Sequence, residues 1–350
     1  MKIGILTFHW ATNYGAVLQS YALQSYLEGL GHEVEIINYK PRQYDYNTCG
    51  FFRSREFLRL KDYSNKRKRE YALSEFREKY LHQTDRVSSF RSLEVIASHY
   101  DAIISGSDQV LNPSFLLSGE GNGIITPTYF LGFPFKGKRI GYALSFGCVA
   151  YPENAKEIAS KFIKDFDFIS VRENTGVEII KSMGRDDVYV VPDPTLLMDV
   201  AFYNNLADEG NVLKSVPYVY CFFIRNVKAR KSSVNPMLMG RNFIWNNEDG
   251  DYTMQGWLSK IKNADFVVTD SFHCVVMCLK FHTPFIVVTA DEGNVGMNDR
   301  LYTLLTPMNL TNKIIYWRNL IWEDFDISFD FMWDEIDCEL LNKFNLEDIL

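Results

Sequence analysis

The chain is 350 residues long, 47% hydrophobic and 23% charged, with a formal net charge of −7. This is enough apolar material for a core and enough length for two domains, so a disordered chain is excluded. The acidic balance argues against a nucleic-acid surface, and no run of about eighteen apolar residues is present to cross a bilayer.

Residues Lys2–Phe8 read as a first strand. The start lacks the long apolar region and cleavage site of a signal peptide, so a cytoplasmic protein is expected. A polar loop, His9-Trp-Ala-Thr-Asn-Tyr-Gly15, leads to a helix from about Ala16 to Leu30, with Gly31 as a natural C-cap. Glu33–Asn38 is the second strand. A strand, helix and strand in this order imply a parallel sheet.

Residues 40–85 break the rhythm and read as an insertion with one or two helices, including Tyr71–Tyr80. Its basic cluster, Lys66-Arg-Lys-Arg-Glu70, could meet an acidic lipid surface at the inner face of a membrane, or a phosphate. A solvated helix face is the favoured alternative.

Strands then follow at Asp101–Ser105, Arg139–Ser145, Phe168–Val171 and Val188–Val191, with a helix over 173–183. Each strand delivers polar residues at its C-terminal end. A second unit starts near 205, with strands at Tyr218–Ile224, Phe266–Val268 and Pro284–Val288. Helices are expected over 253–263 and 299–306, and residues 225–250 read as irregular. The expected division is 1–204, 205–325, and a tail over 326–350 that packs back on the first domain. The six cysteines, Cys49, Cys148, Cys221, Cys274, Cys278 and Cys338, are too scattered for a disulfide framework. Cys274, Cys278 and His282 share a helix face, but their apolar neighbours favour core packing over zinc.

No dinucleotide fingerprint and no P-loop is present. In the first loop, Asn13, Tyr14 and the amides of Gly15 and Ala16 could cradle an anion, or Thr12 or Asn13 could simply cap the helix. Ser105-Gly-Ser-Asp-Gln109 follows a strand. Gly106 permits an unusual backbone angle or a close approach. Asp108 is a candidate base or hydroxyl-binding carboxylate, flanked by Ser107 and Gln109, with a turn or cap as the plainer reading. Arg172 directly follows a buried strand, where it could hold a phosphate or carboxylate, or pair with Glu173 or Glu178.

Asp270-Ser-Phe-His273 crowds a carboxylate, a hydroxyl and an imidazole between an apolar strand and an apolar helix. In open α/β sheets ligands bind at such strand ends, and the helix start favours anions. His273 is the candidate proton-transfer group. Arg300 opens another short helix and could reach the same place, or could equally be a surface arginine. There is no positive sign of a metal.

Together these segments resemble the polysaccharide pyruvyl transferase family. The matching pieces are Gly4-Ile-Leu-Thr-Phe8 with Asn13–Gln19, Ile104–Val110 with Asn112-Pro113, Tyr142–Gly147, Ser170–Glu173, Pro192–Leu197 and Val268–His273. They stand in the family's order over about residues 2–305. The resemblance implies an α/β chain of two Rossmann-like domains with mostly parallel sheets, facing across a cleft as in GT-B glycosyltransferases. It implies transfer of pyruvate from phosphoenolpyruvate to a sugar hydroxyl pair as a ketal, with no cofactor beyond that donor. The sugar would belong to a glycan or a lipid-linked oligosaccharide of cell-surface polysaccharide synthesis. The family's arginine falls on Arg172 and its histidine on His273.

Some relatives carry an arginine two positions before the histidine. Ser271 stands there instead, which leaves donor charge to come from elsewhere, with Arg300 a candidate. Cys274 stands where a glycine is common. The expected roles are therefore His273, Asp108 and Asp270 in catalysis. Arg172, Arg300, Ser271, Asn13, Tyr14 and Gly15 would hold the donor, and Ser107, Gln109 and Ser145 the acceptor. The alternatives are a GT-B-like glycosyltransferase using a nucleotide sugar, and a non-catalytic glycan-binding protein.

Overall fold

A computed structural model describes the chain except residues 42–43, 46–59, 119–122, 211–215, 239, 327 and 342–345. Cys49 and much of the expected insertion lie outside the described residues. The chain forms two compact units, Met1–Leu197 with Phe344–Leu350, and Met198–Lys343.

The first unit alternates strands and helices: β1 (Lys2–Leu6), α1 (Tyr14–Gly29), β2 (Glu33–Ile36), α2 (Leu60–Tyr80), α3 (Phe90–Ala97), β3 (Ala102–Ser105), α4 (Pro113–Ser118), β4 (Lys138–Leu144), α5 (Glu153–Ile163), β5 (Phe168–Val171), α6 (Asn174–Ser182), β6 (Tyr189–Val190) and α7 (Pro194–Leu197). The strands pair in the order β2-β1-β3-β4-β5-β6, all parallel. Parallel sheets are covered on both faces, which is why β3 is buried at every position. Alternate residues feed opposite cores. Ile103 joins one apolar cluster with Leu144 and Ile169, while Ala102 and Ile104 join the other with Ile3, Ile5 and Ile140. Gly31 ends α1 at φ +87, its N–H bonded to the Glu28 carbonyl while His32 N–H reaches Leu27. This is a Schellman cap, and the positive φ is what selects glycine.

The second unit contains α8 (Val200–Asp208), β7 (Val219–Phe222), α9 (Val227–Val234), β8 (Phe243–Trp245), α10 (Met254–Lys262), β9 (Phe266–Thr269), α11 (Phe272–Phe281), β10 (Phe285–Thr289), α12 (Asp299–Leu305), β11 (Ile314–Tyr316) and α13 (Trp333–Leu341). Its strands order as β11-β10-β9-β7-β8, again all parallel. Both sheets therefore share one plan. The first two strands lie side by side, and the third pairs on the other side of the first. The strand order reverses there, between β1 and β3 and between β7 and β9. Ligands of open α/β sheets bind outside the strand ends at this switch point.

Several expectations shift. The helix expected over Tyr71–Tyr80 is the end of α2, which starts at Leu60. Within the basic cluster Lys66, Arg67 and Lys68 are exposed. Arg69 instead stacks on Tyr14, its guanidinium carbon 5.6 Å from the ring centre, and Glu70 binds Arg77 at 2.6 Å. Residues 225–250 are not irregular throughout. They contain α9 and β8, hidden in the sequence because α9 buries only Arg230 and Val234 and β8 has three residues. The second unit begins at Met198 rather than 205, because α8 packs on α10. The tail divides. Trp333 stacks on His282 at 5.0 Å in the second unit, whereas Leu346 is fully buried in the first unit's core. Among the described residues no helix is long and apolar enough to cross a membrane.

Candidate functional site

In the first unit the switch point is tied together by Thr7 Oγ1, which donates to the Ser107 carbonyl at 2.9 Å. The loop after β3 has room only for glycine at its start. Gly106 has φ +113, and a Cβ there would lie 2.2 Å from the Tyr142 carbonyl oxygen. Asp108 itself has φ +75, a backbone angle uncommon outside glycine that Asp tolerates better than most side chains. Its carbonyl accepts the Ser145 N–H at 3.1 Å, fastening the loop to the end of β4.

Arg172, at the end of β5, collects three carboxylates. Its Nη1 lies 2.7 Å from Asp193, its Nη2 3.0 Å from Asp108 and its Nε 3.7 Å from Glu173. Burial opposes the charge, but the three carboxylates together raise the guanidinium above its ordinary pKa. The side chains of Arg172, Asp193 and Glu173 are essentially sealed. Asp108 is 16% exposed and is the cluster's outlet to solvent.

The remaining groups are likewise engaged. Ser107 Oγ lies 3.0 Å from Asp193 and 3.1 Å from the Ala143 carbonyl. Ser145 Oγ and the Phe146 N–H both donate to Glu173 at 2.8 Å. Gln109 Oε1 accepts from Asn112 at 3.0 Å. Asp193 Oδ1 takes the Thr195 N–H and hydroxyl at 3.0 and 2.7 Å.

The sequence reading gave Asp193 no role, although the Pro192-Asp-Pro-Thr195 turn after a strand was its signal. Glu173 entered only as a pairing partner of Arg172. His9 was also missed. It is fully buried, bonded through Nδ1 to the Thr7 carbonyl and through Nε2 to Asn38, both at 3.2 Å. Burial pushes its pKa down to about 4. At the start of α1, Asn13 Oδ1 accepts the Gly15 N–H at 2.9 Å and Tyr14 is buried. Capping thus takes one of the two amides, that of Gly15, which could otherwise have met an anion.

In the second unit Asp270 ties the switch point together. Its two oxygens accept the N–H groups of Ile224 at 2.7 Å and Arg225 at 3.1 Å, fixing the loop after β7 to the end of β9. Burial raises its pKa. These two bonds give Asp270 a positioning duty in the fold, beside the hydroxyl-orienting or proton-accepting role expected of it. Thr269 Oγ1 donates to the Phe222 carbonyl at 2.7 Å and accepts the Ser271 N–H at 3.0 Å. Ser271 is the N-cap of α11, its Oγ accepting the Cys274 N–H at 3.4 Å.

His273 thus sits in the first helical turn, 5% exposed, its ring edge-on to Phe272 at 5.3 Å. The guanidinium carbon of Arg300 lies 5.7 Å from the centre of that same Phe272 ring. The structure therefore brings Arg300, Ser271 and His273 together around one helix start. Cys274 and Cys278 are fully buried, and burial with Cys274 as neighbour holds the Cys278 thiol well above its usual range. His282 turns away from them to Asp337 at 2.9 Å. Among the described residues no group of three or more His, Cys, Asp or Glu is arranged to hold a metal.

Two α/β units of parallel strands, each furnished with polar groups at its switch point, give the chain a GT-B-like fold. The chain belongs to the polysaccharide pyruvyl transferase family, whose model matches residues 13–292. Among solved structures it is similar to a protein from Listeria monocytogenes assigned as a UDP-N-acetylglucosamine 2-epimerase. That match has a TM-score of 0.53 and 9% identity, covering 96% of this chain and 90% of that one. It is also similar to the E. coli heptosyltransferase WaaC with ADP, with a TM-score of 0.39 and 11% identity over 89% of this chain and 99% of that one. The first likeness shows the fold alone, and the second is too weak to carry an argument. No curated protein sequence matches the chain.

Proposed function

We propose that the protein transfers pyruvate from phosphoenolpyruvate to two hydroxyls of one sugar, forming a ketal and releasing phosphate. The observation that carries this reading is the match to the family over residues 13–292. The residue types at the second unit's switch point support it, because a histidine and an arginine share one helix start.

The chemistry needs a proton donor and partners for two anionic groups. A proton adds to the methylene carbon of the donor, and the first sugar hydroxyl attacks the resulting cationic carbon and loses its own proton. The bond from that carbon to the phosphate oxygen then breaks, and the second hydroxyl attacks and loses a proton. Of the two protons released, one balances the proton gained by carbon and one leaves on phosphate. His273 is assigned the proton to carbon, since imidazole transfers protons near neutral pH. Arg300 and the first-turn amides of α11 are assigned the donor's charge. In the first unit Arg172 holds the Asp108 carboxylate in place at 3.0 Å. Ser107, Ser145 and Gln109 are already bonded within the fold and support it.

The acceptor would be a sugar of a glycan or lipid-linked oligosaccharide, handled in the cytoplasm or at a membrane's inner face. The test is to incubate the protein with phosphoenolpyruvate and a panel of synthetic and lipid-linked glycosides. Phosphate release together with a pyruvate mass gain on the sugar is expected. Product formation from nucleotide sugars alone would sink the proposal in favour of glycosyl transfer. No product from either donor, with glycan binding intact in His273→Ala, would sink it in favour of a binding protein.

A further inference from the structure

Arg230 lies on α9, which leaves β7 at the switch point of the second sheet. Only 3% of it is exposed. Its guanidinium carbon sits 5.6 Å from the centre of the Trp317 ring, and its buried Nε has no hydrogen-bond partner. Among the described residues it has no carboxylate at ion-pair distance. Asp270, Asp291 and Tyr316 are the titratable groups within electrostatic reach. Asp270 is already engaged by two backbone amides, and Asp291 stands exposed.

A guanidinium cannot escape burial by losing its proton. A buried charge without a partner is strongly unfavourable, and folds keep one only where something else supplies the counter-charge. Arg172 in this same chain shows what a compensated buried arginine looks like, with three carboxylates around it. Contact with the Trp317 ring suits a cation but leaves the in-plane fork of N–H groups for an oxyanion.

We infer that Arg230 is an anion-binding residue, holding the carboxylate or phosphate of a small acid while Trp317 packs against the guanidinium. The name of the acid, phosphoenolpyruvate, rests on the function proposed above. The anion site itself does not.

The experiment uses the full chain, as wild type, Arg230→Met and Arg230→Lys. It measures thermal unfolding and calorimetric binding of phosphoenolpyruvate, pyruvate, inorganic phosphate and a nucleoside diphosphate. Without ligand, Arg230→Met is expected to melt above the wild type, because an unpaired buried charge has been removed. Its affinity for the acid is expected to fall roughly 10- to 100-fold, the value of a hydrogen bond to a charged group. Arg230→Lys keeps the charge but loses the fork and is expected to bind weakly too, so the test survives if the methionine variant does not fold. Unchanged binding in both variants, with a lower melting temperature, would overturn the inference and make Arg230 a packing residue. Failure of every anion to bind the wild type would overturn it as well. If phosphate or the nucleoside diphosphate binds through Arg230 but phosphoenolpyruvate does not, the anion site stands and the donor assignment falls.

Discussion

The two sheets follow one topological plan, yet their switch points are filled in opposite ways. In the first unit Arg172 is enclosed by Asp108, Asp193 and Glu173, and the nearby hydroxyls are bonded to those carboxylates. In the second, Arg230 lacks an ion pair among the described residues and Arg300 leans on Phe272 beside His273. Topology supplies a place for polar groups at strand ends. The local supply of carboxylates then decides whether an arginine there is compensated within the fold or left to the ligand role proposed for Arg230. Substitutions that separate loss of stability from loss of activity put this contrast at risk.

The largest expected effect is on activity, in the second unit. His273→Asn removes the proposed proton donor, so kcat is expected to fall about 10²- to 10⁴-fold. A kcat within threefold of the wild type, measured by phosphate release, would move the proton-transfer role elsewhere and erase the contrast.

The matching substitution in the first unit, Arg172→Met, should act chiefly on stability. It leaves buried Asp193 and Glu173 without their cation, and breaking a buried pair from one side costs about 3–5 kcal/mol. The urea midpoint is the measurement. A variant as stable as the wild type that no longer binds the donor would make Arg172 an anion holder after all.

His9 gives the first unit a pH signature. Its folded pKa of about 4 lies below the ordinary histidine value of 6.5. Between those values the unfolded chain binds more protons than the folded one, so stability rises with pH. The contribution is complete above about 6.5 and is lost as pH falls toward 4, amounting to roughly 3 kcal/mol. His9→Gln should flatten the stability curve in that window, measured as urea midpoints at successive pH values. An unchanged slope would mean that His9 does not remain neutral.

Much of this was legible in the sequence, for a physical reason. Ala102-Ile-Ile-Ser105 and Phe266-Val-Val-Thr269 are short apolar runs ending in polar residues, as strands buried on both faces must be. Asp108, Arg172 and His273 stand out because each follows such a run. Their partners were harder to read, because pairing between strand ends depends on strand order. Nothing local indicates that Asp193 reaches Arg172 across 21 positions. The contacts of Asp270 were equally hidden, because only the register of β7 and β9 places the Ile224 and Arg225 amides against it. Arg230 was invisible because the helix carrying it is mostly polar and has only one apolar residue buried, Val234.

The smallest expected effect compares the two helix caps. Asn13 caps α1 through a 2.9 Å bond to Gly15, and Ser271 caps α11 through a longer 3.4 Å bond to Cys274. Replacing either by alanine should cost about 1 kcal/mol, with Asn13→Ala the more damaging. Activity should sort the other way. Ser271 sets the turn that carries His273, so Ser271→Ala is expected to lower kcat a few-fold while Asn13→Ala leaves it alone. Donor affinity lost in Asn13→Ala but retained in Ser271→Ala would place the anion at α1, and the first switch point would then be the one that binds the donor.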